Sequence, residues 1–300
     1  MKARFVYESI SFLNEDQKSF EDLSILSKEI FNYFYNKYGE AESILEKLNF
    51  NWEEILKNHI VPLSKFDSSK YKNIKEFINA GIGLIYSKYK ADDAADGGAG
   101  FFLSPKTYIS GDSELSKKYA KLYPAGLVVF AAHDIGSGAA LVVGGESNLM
   151  HELQHAYDFW RSKGKNQAKK KYDTKKIVNS DPYSKSDDDV EKARSIYYND
   201  TSELSAYFVE SLKSIYWAGK ERDKYYVPGK EYVPGFYRWE LLLERFKSGF
   251  GPWDYLSDKL KKKYVNKFYT YYIKLKKIYD KEGIEGISKL GLKYHERDFR

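Results

Sequence analysis

Cysteine is absent from this 300-residue chain, which excludes disulfides, thiolate metal sites and cysteine nucleophiles. The absence leaves the compartment open, because secreted proteins also do without cysteine. Histidine is scarce, at five residues, so two of them at a metal-binding spacing stand out. A membrane-spanning run is missing too. The one stretch that approaches it, Gly126 to Gly145, carries His133 and Asp134 and breaks at Asp134-Ile135-Gly136-Ser137-Gly138. Its glycines and polar centre predict a strand, a turn and a second strand over Ala139 to Val143. No signal peptide is read at the N-terminus. Lys2 and Arg4 resemble a basic leader, but Glu8 interrupts the apolar stretch and Asn14-Glu15-Asp16 ends it without a cleavage site. These absences set the expectation of a soluble protein, cytoplasmic or virion-associated, with no membrane partner.

Charge of one sign is also in short supply. The net charge of +6 is modest for this length. The one basic stretch, from Lys163 to Lys176 with Lys169-Lys170-Lys171 at its centre, reads as a solvated loop. No nucleic-acid module is recognisable, and no nucleic-acid partner is expected. Asp92, Asp93 and Asp96 lack the loop pattern and terminal Glu of a calcium-binding hand, so a turn is expected there.

What is present is a core-forming chain rich in aromatics. Hydrophobic residues make up 42% and aromatics 17%, mostly tyrosine, whose rings pack inside with hydroxyls toward the surface. Residues 15 to 90 are mainly helical in pattern, with Phe20, Leu23, Leu26, Ile30 and Tyr33 or Phe34 at helical spacing. Ala41 to Leu48 and Trp52 to His59 read as further short helices. The Gly-, Ala- and Asp-rich run from Asp92 to Gly100 reads as a joint. Phe101 to Ile109, limited by Pro105, and Leu127 to Ala132 read as strands. Phe236 to Phe246 and Tyr255 to Tyr279 look helical, after a loop with the repeat Tyr226-Val227-Pro228-Gly229 and Tyr232-Val233-Pro234-Gly235. The expected organisation is a helical region over 1–95, a core over 96–220 and a helical region over 221–300.

The sharpest feature is His151-Glu152-Leu153-Gln154-His155. On a helix, residues four apart lie one above the other, so two imidazoles can share one metal ion. The glutamate between them can take a proton from a water on that metal. Ser147 and Asn148 can cap the helix start. Leu149, Met150, Leu153, Ala156 and Phe159 or Trp160 supply apolar positions at helical spacing. A catalytic site needs a third protein ligand. Asp158 and Arg161 rule out the HExxHxxGxxH continuation. The better candidate is Glu203, early in a helix capped by Asp200 or Thr201 and running to about Ala218, with Leu204, Phe208, Leu212 (or Ser211) and Ile215 as its apolar stripe. Glu210, on the same face, and Glu191 are rivals, and His133 stays open on spacing alone. Asp200 and Glu203 also fit a capping box. Asp158 fits a residue holding an imidazole N–H, or a plain solvated residue.

Here the chain resembles the gluzincin metallopeptidases, and among them the catalytic domain of the anthrax lethal factor group. That group also reads His-Glu-x-x-His-Ala-x-Asp, as His151 to Asp158 does, and has a glutamate followed after two residues by alanine, as Glu203 to Ala206 does. The likeness is confined to these helices and the loop between them. It implies an α+β fold: a zincin-like core of a small mixed sheet and two ligand-bearing helices, with helical flanks. It implies one zinc ion held by His151, His155 and Glu203, Glu152 as base, and a protein or peptide substrate bound by strand addition along Ala139 to Val143. Two positions depart from the group. Its acid one turn after the ligand glutamate is Tyr207 here. Its transition-state tyrosine has Tyr197 and Tyr198 as counterparts, out of register by position. Tyr197, Tyr198, Tyr207 and His133 are the candidates for stabilising the oxyanion. The expected function is a zinc-dependent endopeptidase. Two alternatives stand beside it: a virion or structural protein with a zincin-like domain, and an effector or toxin acting on a host protein.

Overall fold

The computed structural model describes residues 2–38, 59–89, 100–105, 114–133, 138–164, 195, 197–220 and 234–294. Among these the chain is α+β, with a four-stranded and a three-stranded mixed sheet and seven α-helices. It forms two compact units, one of residues 26–210 and one of 1–25 with 211–300. These cuts fall at Ile25/Leu26 and Glu210/Ser211. None of the described helices is long and apolar enough to cross a membrane.

In the unit of residues 26–210, the sheet runs in the order β1 (Val61–Pro62), β2 (Ile82–Tyr89), β4 (Gly126–His133), β3 (Gly100–Leu103). β2 and β4 are parallel, with Leu84 opposite Val128 and Ile85 opposite Val129. β1 and β3 flank them antiparallel. Helical character does not extend through residue 90, as the pattern had suggested. Ile82-Gly83-Leu84-Ile85-Tyr86 is a central strand buried on both faces, and such strands lose the alternation that marks a half-buried one. The expected helices over 41–48 and 52–59 lie outside the described residues except for His59. Phe34, on α1 (Lys2–Tyr38), packs against Tyr86 and Phe130 with ring centroids 5.6 and 5.2 Å apart. Gly126 opens β4 at φ +109, where a Cβ would meet the Leu103 carbonyl oxygen at 2.8 Å. Only glycine lets β3 lie this close at that backbone angle.

The HExxH segment lies on a long helix that packs across β4 and β3. α2 (Lys75–Ile78) and α3 (Glu114–Leu122) precede it, and the helix itself is α4, Gly138–Arg161. This corrects the expectation for Ala139 to Val143, which form helix and not a strand. Ser147 and Asn148 accordingly sit inside α4 and do not cap it. The apolar run Ala-Ala-Leu-Val-Val is short enough to suit either state. Joined to the strongly helical 146–161 segment it needs only elongation, which is far easier than nucleation. α4 buries Leu149, Met150, Leu153, Ala156 and Tyr157. Phe159 meets Phe102 of β3 with centroids 5.5 Å apart, and Tyr157 and Trp160 enclose Phe77 at 5.2 and 5.8 Å.

The other unit has a sheet ordered β6 (Pro234–Phe236), β5 (Tyr216–Lys220), β7 (Lys293–Tyr294). α6 (Trp239–Gly249) and α7 (Asp258–Lys289) bear out the two helices read there, with shifted ends. Phe246 and Phe268 stack at 4.4 Å within a core that also holds Trp217 and Phe250. Lys213 is fully buried in this unit, its ammonium donating to the Ser24 and Gly291 carbonyl oxygens at 2.8 and 2.6 Å and to Ser24 Oγ at 3.1 Å.

Candidate metal centre

Two helices build the centre. α4 supplies His151, Glu152 and His155, and α5 (Thr201–Ser214) supplies Glu203, Tyr207 and Glu210. α5 starts where the sequence places it. Asp200 accepts the Ser202 backbone N–H at 2.8 Å, the work of an N-cap. Its stripe of Leu204, Phe208, Leu212 and Ile215 is buried. The helix ends at Ser214, four residues before the expected Ala218. There the Trp217 indole N–H donates to the Leu212 carbonyl at 2.9 Å, satisfying one of the carbonyls a helix end leaves open.

Three side-chain atoms converge. His151 Nε2 and His155 Nε2 are 3.1 Å apart, and Glu203 Oε2 lies 3.7 Å from the first and 3.5 Å from the second. These three residues form the one His/Asp/Glu group among the described residues arranged to hold a metal ion. The fit can be tested on spacing. A tetrahedral zinc with bonds of about 2.0–2.2 Å holds its ligand atoms about 3.3–3.5 Å apart, within a few tenths of an ångström of the three distances here. The donor set also fits, since two imidazoles and one carboxylate leave a fourth position open. Glu203 Oε2 carries the strongest sign. It is buried and makes no hydrogen bond, its polar neighbours being His155 Nε2 and His151 Nε2 at the ion-pair distances of 3.5 and 3.7 Å, beyond good hydrogen-bond reach. A buried carboxylate oxygen left this way is costly, and a cation between the three atoms would remove that cost. The Asp200 backbone N–H, which a capping-box glutamate would take, donates instead to the Tyr197 carbonyl at 3.0 Å.

The outer ring nitrogens are also held. Glu210 Oε2 lies 2.8 Å from His151 Nδ1, and Ser202 Oγ lies 3.0 Å from His155 Nδ1. Glu210, read from sequence as a rival ligand, thus stands behind the ring. Ser202 was missed, and nothing in its sequence setting singles it out. Asp158, read either as a residue holding an imidazole or as a solvated helix residue, accepts from the Gln154 amide at 2.9 Å. Glu191 lies outside the described residues, as does the His133 side chain. So do most of the basic stretch from Lys163 to Lys176, the Asp92–Asp96 cluster and the first Pro-Gly repeat.

The electrostatics are those of a negative cage. Burial alone would lower the His151 imidazole, but Glu203, Glu210 and Glu152 outweigh it and push it up to about 10. Burial would raise the Glu203 carboxyl, yet the two imidazoles hold it well below the usual carboxylate range. Glu152 goes the other way, its burial raising it against the pull of both histidines. Tyr197, Tyr198 and Tyr207 gather at one side. The Tyr207 ring meets the His151 ring edge-on with centroids 4.7 Å apart, and Tyr198 lies 5.6 Å and Tyr197 6.4 Å from Tyr207. Burial raises the phenols of Tyr197 and Tyr207 well above their ordinary value.

Compared with protein-family models, with curated proteins and with solved structures, the chain matches none.

Proposed function

We propose that the protein is a zinc-dependent endopeptidase. The observation that carries this reading is the buried, donorless Glu203 Oε2 facing two imidazole nitrogens at tetrahedral ligand spacing. His151, His155 and Glu203 hold the ion, one per chain. Zinc, when bound, supplies a Lewis acid that polarises a carbonyl and makes water a better nucleophile near neutral pH. The chain's own groups do the rest. Glu152, whose burial strengthens it as a base, takes a proton from the attacking water. It delivers that proton to the amide nitrogen as the new C–O bond forms and the C–N bond breaks. A phenol that stays protonated can donate to the carbonyl oxygen as negative charge develops there. Tyr197, Tyr198 and Tyr207 are the donors within the cluster, and burial keeps the first and last protonated. With Ala139 to Val143 in a helix, strand addition of an extended substrate passes to β3, the edge strand of the described sheet on which α4 packs.

The test is a pair of measurements on wild type and Glu152→Gln. Elemental mass spectrometry should give about one zinc per chain in both. Cleavage of a denatured protein substrate, read by mass spectrometry of the peptides, should fall about 10²- to 10⁴-fold in the variant, the usual share of general acid–base catalysis. A variant that cuts at the wild-type rate would overturn the mechanism. A folded wild type that takes up no zinc would overturn the metal centre.

A further inference from the structure

We infer that Glu210 is the residue that presents His151 to the metal, fixing which of its ring nitrogens is free to bind. The inference rests on the zinc reading above and adds a residue to it. Glu203, Tyr207 and Glu210 fall on one face of α5, at the spacing that brings helix residues into line. All three meet the same imidazole. Glu203 faces its Nε2 end, Tyr207 meets the ring edge-on at 4.7 Å, and Glu210 Oε2 lies 2.8 Å from Nδ1. The acid expected one turn after the ligand glutamate is replaced by Tyr207, and the carboxylate that reaches the histidine comes three residues later.

The chemistry follows from what a carboxylate can do. An ionised carboxylate only accepts hydrogen bonds, so the His151 nitrogen facing it must carry the proton. When a metal ion takes the place of the Nε2 proton, the ring keeps its other proton on Nδ1, and its lone pair lies on Nε2, the atom that points at His155 and Glu203. His155 is held less firmly in this respect. Its Nδ1 faces the Ser202 hydroxyl at 3.0 Å, and a hydroxyl can donate or accept, so it does not by itself choose the tautomer. The two imidazoles are therefore unequal: a carboxylate fixes the proton of His151 on Nδ1, and His155 has only a hydroxyl there.

The experiment measures zinc dissociation constants by competition with a chromophoric chelator on wild type, Glu210→Gln and Ser202→Ala. Glu210→Gln should weaken zinc about 10- to 100-fold, the usual effect of losing such a partner, and Ser202→Ala should weaken it less. Long-range proton–nitrogen spectra of the zinc-loaded protein should show the His151 proton on Nδ1 in wild type and its signal shifted in Glu210→Gln. A residue with only a structural role would alter thermal unfolding of the chelator-treated protein and leave the zinc constant unmoved. Unchanged zinc affinity in Glu210→Gln, with wild type binding zinc, overturns this inference alone. Wild type that binds no zinc overturns the metal reading and this inference with it.

Discussion

Lys213 and Glu203 are both buried ionisable groups on α5, and the structure treats them in opposite ways. The Lys213 ammonium has three oxygen acceptors, two of them carbonyls, at 2.6 to 3.1 Å. Glu203 Oε2 makes no hydrogen bond and has the two imidazole nitrogens, at 3.5 and 3.7 Å, beside it. A buried charge is tolerated when it is fully hydrogen-bonded and is costly when it is not. The lysine is therefore complete as folded and reads as a structural clamp. The carboxylate is held by the two imidazoles, at 3.5 and 3.7 Å, and a metal ion between the three atoms is the partner proposed for it. The contrast separates a buried polar group satisfied within the fold from one proposed to serve binding.

The largest effect should come from breaking the complete site. Lys213→Met keeps the side-chain length but removes the donor, leaving the Gly291 and Ser24 oxygens without it. Hydrogen bonds to a charged group contribute about 1.5–3 kcal/mol each, and part of the gain is offset by desolvation of the ammonium. A net loss of about 3 kcal/mol is expected in denaturant unfolding of the chelator-treated protein. A loss under about 1 kcal/mol would remove the clamp from the account. The next effect completes the incomplete site. Zinc at a hundredfold excess over its dissociation constant should stabilise wild type by about 2.7 kcal/mol, and Glu203→Gln should lose most of that gain. If zinc stabilised both proteins equally, the ion would be bound elsewhere.

How far this contrast was legible in the sequence depends on what each part requires. His151, Glu152 and His155 announce themselves because helical spacing alone brings them to one face, and Glu203 follows from a capped, amphipathic second helix. The structure brings all three proposed ligands together. Glu210 was visible only as a rival, because spacing puts it on the right face but not behind the ring. That distinction needs the direction of the side chain and the place of the partner helix. Ser202 carried no signal for the same reason. The clamp was invisible too, since it joins Ser24, Lys213 and Gly291 from distant parts of the chain. In the fold, α5 was legible because its apolar stripe recurs at helical spacing, and β4 because its short apolar run is β-branched and aromatic at its centre. Ala139 to Val143 and Ile82 to Tyr86 were not. Each is a short, wholly apolar run whose state is decided by what it joins or lies beside.

The smallest effect tests how the clamp is built. Ser24 Oγ accepts from Lys213 at 3.1 Å and donates to the Leu290 carbonyl at 2.8 Å. Ser24→Ala removes both interactions but leaves the ammonium its two carbonyl acceptors, which are also its shorter contacts. The Leu290 carbonyl then loses a donor at a part-buried position. If the three acceptors act independently, the cost should be about 1 kcal/mol, near the value of one ordinary hydrogen bond, and well below that of Lys213→Met. Denaturant midpoints of the two variants and of the double variant decide the matter. A Ser24→Ala cost equal to that of Lys213→Met would mean that the hydroxyl is the hinge of a cooperative network. The double variant would then be no less stable than either single one, because removing any member already breaks the whole.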